Sequence, residues 1–286
     1  MTEKSPSIHG PAPDLVIQPT KGWGQLGLDE LWHYRDLLWF HVLREVKGKY
    51  RQMALGPLWI ILQPVINMII FTFVFGKVAR LPSEGIPYPI FTYVALLPWT
   101  FFSSCTQRSL GSLVSQMGII SKVYFPRMIM PLSGVCSAFV DFLMSFFVLA
   151  GLMIFYGAVP GPQLVFLPLF LLLAAATGLG IGLWTAAIAV RFRDLALVAS
   201  SGIRLAMYVT PVAYSATIIA EKFPNWMWLY KLNPMYWVIE GFRWCLLQTG
   251  NAPEPYMAVP VGLVILLLIT GAYVFRRTER TIVDLL

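Results

Sequence analysis

Six long apolar runs decide what this chain can be. They cover roughly Pro57–Phe75, Tyr88–Ser109, Met128–Phe155, Leu164–Val190, Leu195–Ser215 and Met257–Phe275. A helix needs about 20 apolar residues to cross a bilayer, and each run is of that order. None alternates apolar and polar residues as the strands of a membrane barrel do. Within lipid each span must satisfy its own backbone hydrogen bonds, so such runs fold as helices. Only 12% of the residues are charged, against about 25% in soluble domains. The expectation is an all-α integral membrane protein with six transmembrane helices.

An even number of spans puts both termini on one side, and the basic residues choose which. Of the 21 Lys and Arg, seven precede the first span, three lie in the second connection, two in the fourth, and three follow the last span. The opposite side holds only Lys77, Arg80, Lys222, Lys231 and Arg243, and Arg204 sits within the fifth run. Both termini are therefore expected in the cytoplasm. The net charge of +7 is explained by this topology and does not call for nucleic acid. Residues 1–27, rich in Pro, Gly and polar residues and without a signal-type apolar core, read as a flexible cytoplasmic tail before a membrane domain over 28–286.

Ahead of the first span, LDELWHYRDLLWFHVLREVKGKY (Leu28–Tyr50) is amphipathic. At about 100° per residue, Leu31, Tyr34, Leu38, Trp39, Val42, Leu43, Val46 and Tyr50 share one face. Asp29, His33, Asp36, Arg44, Lys47 and Arg51 gather on the other, with Arg35 and Glu45 interrupting the first and Leu37 and Phe40 the second. This pattern predicts an N-terminal helix lying in the membrane interface. A second short helix is expected over Ser112–Tyr124. The external stretch Thr217–Tyr256 carries Trp226, Trp228, Trp237, Trp244, Tyr230 and Tyr236. Its second half, MYWVIEGFRWCLLQ, is too short to span and suits a re-entrant or interfacial pair of helices. Glu240 and Arg243, three apart, can form an intrahelical ion pair. The stretch reads equally as an aromatic anchor and as an external gate.

Soluble-enzyme chemistry finds little support. The chain has no G-x-x-x-x-G-K-[ST], so nucleotide hydrolysis by a P-loop is not expected of it. Gly178 and Gly182 form a small-xxx-small pair suited to close helix packing. Cys105, Cys136 and Cys245 lack metal-ligand spacing, and His9, His33 and His41 all lie near the N-terminus, so no metal site is expected. A membrane enzyme acting on lipid-linked sugars would need grouped acids, whereas Glu84 and Glu254 stand alone and Glu221 and Glu240 have basic neighbours. Asp141 and Arg204 are intramembrane charges, which are expensive and usually paired or functional. They read as a clamp across the bundle or as part of a polar pathway. Gln63 and Asn67 lie one turn apart among aromatic residues. The candidate channel residues are Trp59, Gln63, Asn67, Phe71, Tyr93, Trp99, Phe102 and Tyr208, whose rings could stack on sugars while the amides bond hydroxyls. The same aromatics could equally face lipid.

The segments LGPLWIILQPVI (Leu55–Ile66), LLPWTFFSS (Leu96–Ser104), SKVYFPRMIMPLS (Ser121–Ser133), AVRFRDL (Ala189–Leu195), TPVAYS (Thr210–Ser215) and LNPMYW (Leu232–Trp237) together resemble type-2 ABC exporter permeases, the family that serves O-antigen, capsule and teichoic-acid export. The resemblance implies a homodimer in the bacterial inner membrane with a channel between subunits. It implies two copies of a separate ATPase subunit that bind ATP and Mg, leaving no cofactor on this chain. Docking would fall on the N-terminal helix and the 112–124 helix, here Trp32, Arg35, Arg44, Ser112, Gln116, Lys122, Tyr124 and Arg127. The external gate would comprise Trp226, Trp228, Tyr236, Trp237, Glu240 and Arg243. The cargo implied is a lipid-linked, O-antigen-like polysaccharide. Capsule, teichoic acid or a small amphiphilic drug are the alternatives.

Overall fold

The computed structural model describes residues 32–51, 58–112, 126–192 and 194–283. Among these the regular structure is entirely helical. Helix α1 runs Arg35–Arg51. Helix α2 (Leu58–Phe71) continues as a π-helical stretch, Thr72–Val78. Then come α3 (Tyr88–Gly111), α4 (Ile129–Tyr156), α5 (Leu167–Ala189, entered through a 3-10 turn at Pro162–Phe166) and α6 (Asp194–Val209). The short helices α7 (Ala216–Lys222) and α8 (Met227–Lys231) lead into α9 (Pro234–Leu247), and α10 covers Ala258–Val283.

Four helical stretches are long and apolar enough to cross a membrane: Leu58–Val78, Ile129–Tyr156, Pro162–Ala189 and Pro255–Thr278. Each matches an apolar run of the sequence to within a few residues. The other two runs behave differently. The 24 residues of α3 span about 36 Å at 1.5 Å per residue, yet the helix is more polar than those four and is buried almost all round. Residues Ile90–Trp99 are covered throughout, because α2, α4, α5 and α9 all pack on it. The fifth run, expected to continue to Ser215, stops being helical at Val209. Thr210 precedes Pro211, which disfavours helical backbone at Thr210, and the Thr210 hydroxyl folds back onto the Ala206 carbonyl at 2.8 Å. Residues 210–213 then turn beneath the neighbouring helices and are buried.

Close helix approach rests on small residues. A Cβ at Gly178 would meet the Cys105 Cβ at 2.8 Å, and one at Gly182 would collide with Ser109. The paired glycines thus let α5 lie against the backbone of α3, as their spacing predicts. Gly182→Leu should therefore prevent native packing. Overpacking costs about 1–3 kcal/mol or more, readable as a lowered unfolding temperature and poor recovery of folded protein from detergent. At the end of α4, Gly157 takes φ 66°, the left-handed closing position that favours glycine.

Helix α9 is the surprise of the 217–256 stretch. Its start is fixed by Asn233, whose side chain accepts from the Met235 amide, and by Pro234 in the first turn, both favoured there. Almost every residue from Met235 to Leu247 is buried, since the helix packs against both α3 and α5.

Candidate functional site

A groove of about 670 Å³ opens between α2, α3, α4 and α6, with Lys49 of α1 at its edge. Sequence periodicity explains its two-sided character. On α2, Ile60, Pro64, Met68 and Phe71 face inward and are buried. Trp59, Gln63 and Asn67, one position out of phase, line the groove. On α3, Thr100, Ser103, Ser104 and Gln107 form a polar stripe with i, i+3, i+4, i+7 spacing and face the same space. Gln107 donates to Ser103 at 2.8 Å. Asp141 and Ser145 of α4 and Arg204 of α6 complete the polar lining. The α3 stripe escaped the sequence reading, although polar residues repeating at helical spacing inside an apolar run were the signal available.

The expected channel residues separate into two groups. Trp59, Gln63, Asn67 and Trp99 line the groove. Tyr208 is exposed on α6, and its ring lies 6.5 Å from that of Phe71. Tyr93 and Phe102 do not line this groove. Tyr93 is fully buried and donates to the Ser145 carbonyl at 3.1 Å. Phe102 is buried beneath Trp99, ring centres 5.2 Å apart. Both were drawn in by their position on a helix whose buried, central place the sequence did not reveal.

At one end of the groove, four charges join in a linked cluster. Arg108 bonds both Glu45 of α1 and Asp141 of α4, the latter at 2.7 Å. Lys49 of α1 reaches the same Asp141 oxygen at 2.7 Å, and Ser137 donates to Glu45 at 3.1 Å. Asp141 is therefore paired with Arg108 and Lys49, not with Arg204. Arg204 instead donates to Ser201 on its own helix at 3.2 Å. Glu45 and Lys49, four residues apart, point the same way along α1 and fasten it to the bundle.

That fastening corrects the expected faces of α1. Its bundle-facing side carries Tyr34, Leu37, Leu38, His41 and Val42, with Ile129 and Met130 of α4 beneath. Leu37, expected on the polar face, lies inward together with His41, while Trp39, expected on the apolar face, is exposed, as is Phe40. Burial, with a smaller contribution from Arg44, lowers the pKa of His41. Of the expected docking residues, Trp32, Arg35 and Arg44 are exposed, the Arg35 guanidinium lying 5.3 Å from the Trp32 ring centre. Ser112 and Arg127 are buried, Ser112 capping back onto Ser109 at 2.7 Å, so neither forms part of an open surface. Gln116, Lys122 and Tyr124 lie outside the described residues, as does the 1–27 tail.

The expected gate set also divides. Trp226 and Trp228 are exposed, whereas Tyr236, Trp237, Glu240 and Arg243 are buried. The Glu240–Arg243 ion pair read from spacing is present at 3.0 Å. Arg243 also reaches the carbonyls of Val212 and Tyr214 at 3.3 Å and stands 3.9 Å over the Phe91 ring centre. Glu240 accepts from the Asn251 amide at 3.1 Å. The pair joins α9 to α3 and to the turn after α6. Such side chains hold the 210–251 stretch together and do not present to solvent.

A bundle of membrane-length apolar helices, with a polar groove and an internal cluster of ion pairs, defines a polytopic helical membrane protein. The chain belongs to the ABC-2 type transporter family, which its residues 36–247 match. It is 32% identical over 254 residues to the O-antigen export system permease protein RfbA of Myxococcus xanthus, covering 87% of this chain and 96% of that protein. It is 30% identical to a protein of the same name from Klebsiella pneumoniae, covering 88% and 95%. A shorter stretch of 79 residues is 32% identical to the polysialic acid transport protein KpsM of Escherichia coli, covering 28% of this chain and 31% of that one.

Proposed function

We propose that this chain is the permease subunit of an ATP-driven exporter of lipid-linked polysaccharide. The cargo is O-antigen-like and passes from the cytoplasmic to the periplasmic side of the bacterial inner membrane. The near-full-length similarity to two O-antigen export permeases supports the cargo class. The observation that carries the reading on this chain is the groove, where Trp59 and Trp99 stand beside Gln63, Asn67 and the α3 hydroxyls. Flat aromatic faces with scattered amides and hydroxyls suit a sugar chain that must slide without one tight site. The chain works as a homodimer with both termini cytoplasmic, and each subunit crosses the membrane six times, α3 and α6 supplying the second and fifth crossings. Two separate ATPase subunits bind ATP and Mg and dock on α1, through Trp32, Arg35 and Arg44, and on the 112–124 segment. Trp226 and Trp228 belong to an external gate.

The test is depletion of the protein in its native cell, comparing lipid-linked glycan inside with polymer at the surface. Polymer trapped inside supports the reading, and its composition identifies the cargo as O-antigen, capsule or teichoic acid. An unchanged surface with altered sensitivity to a small amphiphile would replace it with drug export.

A further inference from the structure

The four charges at the groove's end cancel one another. Glu45 and Asp141 are matched by Arg108 and Lys49. Arg204 is outside this cluster. Among the described residues it forms no ion pair, and its hydrogen bond is to the neutral Ser201 hydroxyl. It is the eleventh residue of α6, about 15 Å from the helix start at 1.5 Å per residue. A guanidinium held at membrane depth is expensive unless it meets an anion or water. The surplus positive charge of the groove is thus gathered on one planar, five-donor side chain, well matched to phosphate oxygens.

What surrounds Arg204 narrows the anion. One side is the groove, with Trp59 and the amides of Gln63 and Asn67. The other side is the outer face of α6, where Leu205 and Val209 are exposed and apolar. A ligand seated there would place its charge on Arg204, a polar portion in the groove and an apolar tail along the helix. We propose that Arg204, assisted by Gln63 and Asn67, is the station that holds the phosphate junction of a lipid-linked glycan, with the sugar portion in the groove and the lipid tail along the outer face of α6. This assignment rests on the export reading above. It makes the junction, and not the sugar sequence, the feature that admits a molecule to the groove.

The experiment uses the full-length chain in nanodiscs of zwitterionic lipid and a labelled polyprenyl diphosphate carrying one sugar. Saturable binding is measured for the wild type, Arg204→Gln and Arg204→Lys, with thermal unfolding recorded on the same samples. Removing a charge-assisted donor pair should weaken binding about tenfold or more. Arg204→Lys should fall between, because it keeps the charge and loses the two-pronged geometry. Phosphatidylglycerol added at equal concentration should not displace the probe, and neither should inorganic diphosphate. Equal binding by wild type and the folded variants overturns the assignment. So does full displacement by phosphatidylglycerol, which would make Arg204 a clasp for membrane phospholipid, or by inorganic diphosphate, which would make it a site for free anion. Absence of probe binding in the wild type, in cells whose depletion still traps glycan, sinks this inference while leaving the export reading intact. Normal surface polymer after depletion removes the export reading itself.

Discussion

Arg243→Met should yield little folded protein. The Arg243 side chain is wholly buried and its partner Glu240 nearly so. Removing the guanidinium leaves a buried carboxylate facing only the Asn251 donors and strips a donor from the carbonyls of Val212 and Tyr214. Breaking a buried pair from one side costs about 3–5 kcal/mol, a large share of the roughly 5–15 kcal/mol that holds a domain together. Arg243→Lys should recover little, since one ammonium cannot reach the carboxylate and two carbonyls with the geometry of a guanidinium. The double variant Glu240→Leu with Arg243→Met should fold better than Arg243→Met alone, because it leaves no orphaned charge. Size-exclusion profiles and unfolding temperatures of the three proteins decide the matter. A double variant no better than the single one would mean that the carbonyl contacts and the Phe91 contact matter more than the ion pair.

The charge cluster at the groove's end should show the opposite division between folding and function. Arg108 and Asp141 are about four-fifths buried or more, whereas Lys49 and Glu45 are about a third exposed. Arg108→Ala should therefore destabilise by about 2–3 kcal/mol, short of the fully buried value. Replacing both Arg108 and Asp141 with Met and Leu should restore stability, because Glu45 and Lys49 can then pair with each other along α1. That double variant nevertheless loses the charged attachment of α1 to α3 and α4. If α1 passes on the motion of a docked ATPase, export should fall about tenfold while the complex still assembles. Export assayed beside unfolding temperature separates the two effects. A stable double variant that exports normally would make the cluster a structural fastener only.

Much of this architecture was legible because membrane spans write themselves in composition. The ends of the four most apolar stretches, the Gly178–Gly182 contact and the Glu240–Arg243 pair all followed from spacing within one element. The failures share a cause. Whether a charge faces in or out depends on a partner far away in sequence. Glu45 looked like a flaw in the apolar face of α1, yet Arg108 lies opposite it. Asp141 was matched to Arg204 because Arg108 was counted in the second connection, whereas packing brings Arg108 to it. Tyr93 and Phe102 looked like lining because nothing local says that α3 stands at the centre of the bundle. The aromatic richness of 226–244 suggested an interface throughout, while burial divides it between exposed Trp226 and Trp228 and the covered α9.

The π-helical stretch Thr72–Val78 also bears on how the length of such a chain can drift. A π-helical turn accommodates one residue more than the α-helical turn it replaces. Loss of a single residue there can be absorbed by reversion to α-helix, with the connection before α3 taking up the remainder. The same loss between Ile60 and Asn67 would rotate what lies on one side of it by about 100° relative to the other, separating Trp59 from the amides it shares the groove with. Relatives of different length would then be expected to keep the inner part of α2 constant and vary at its outer end.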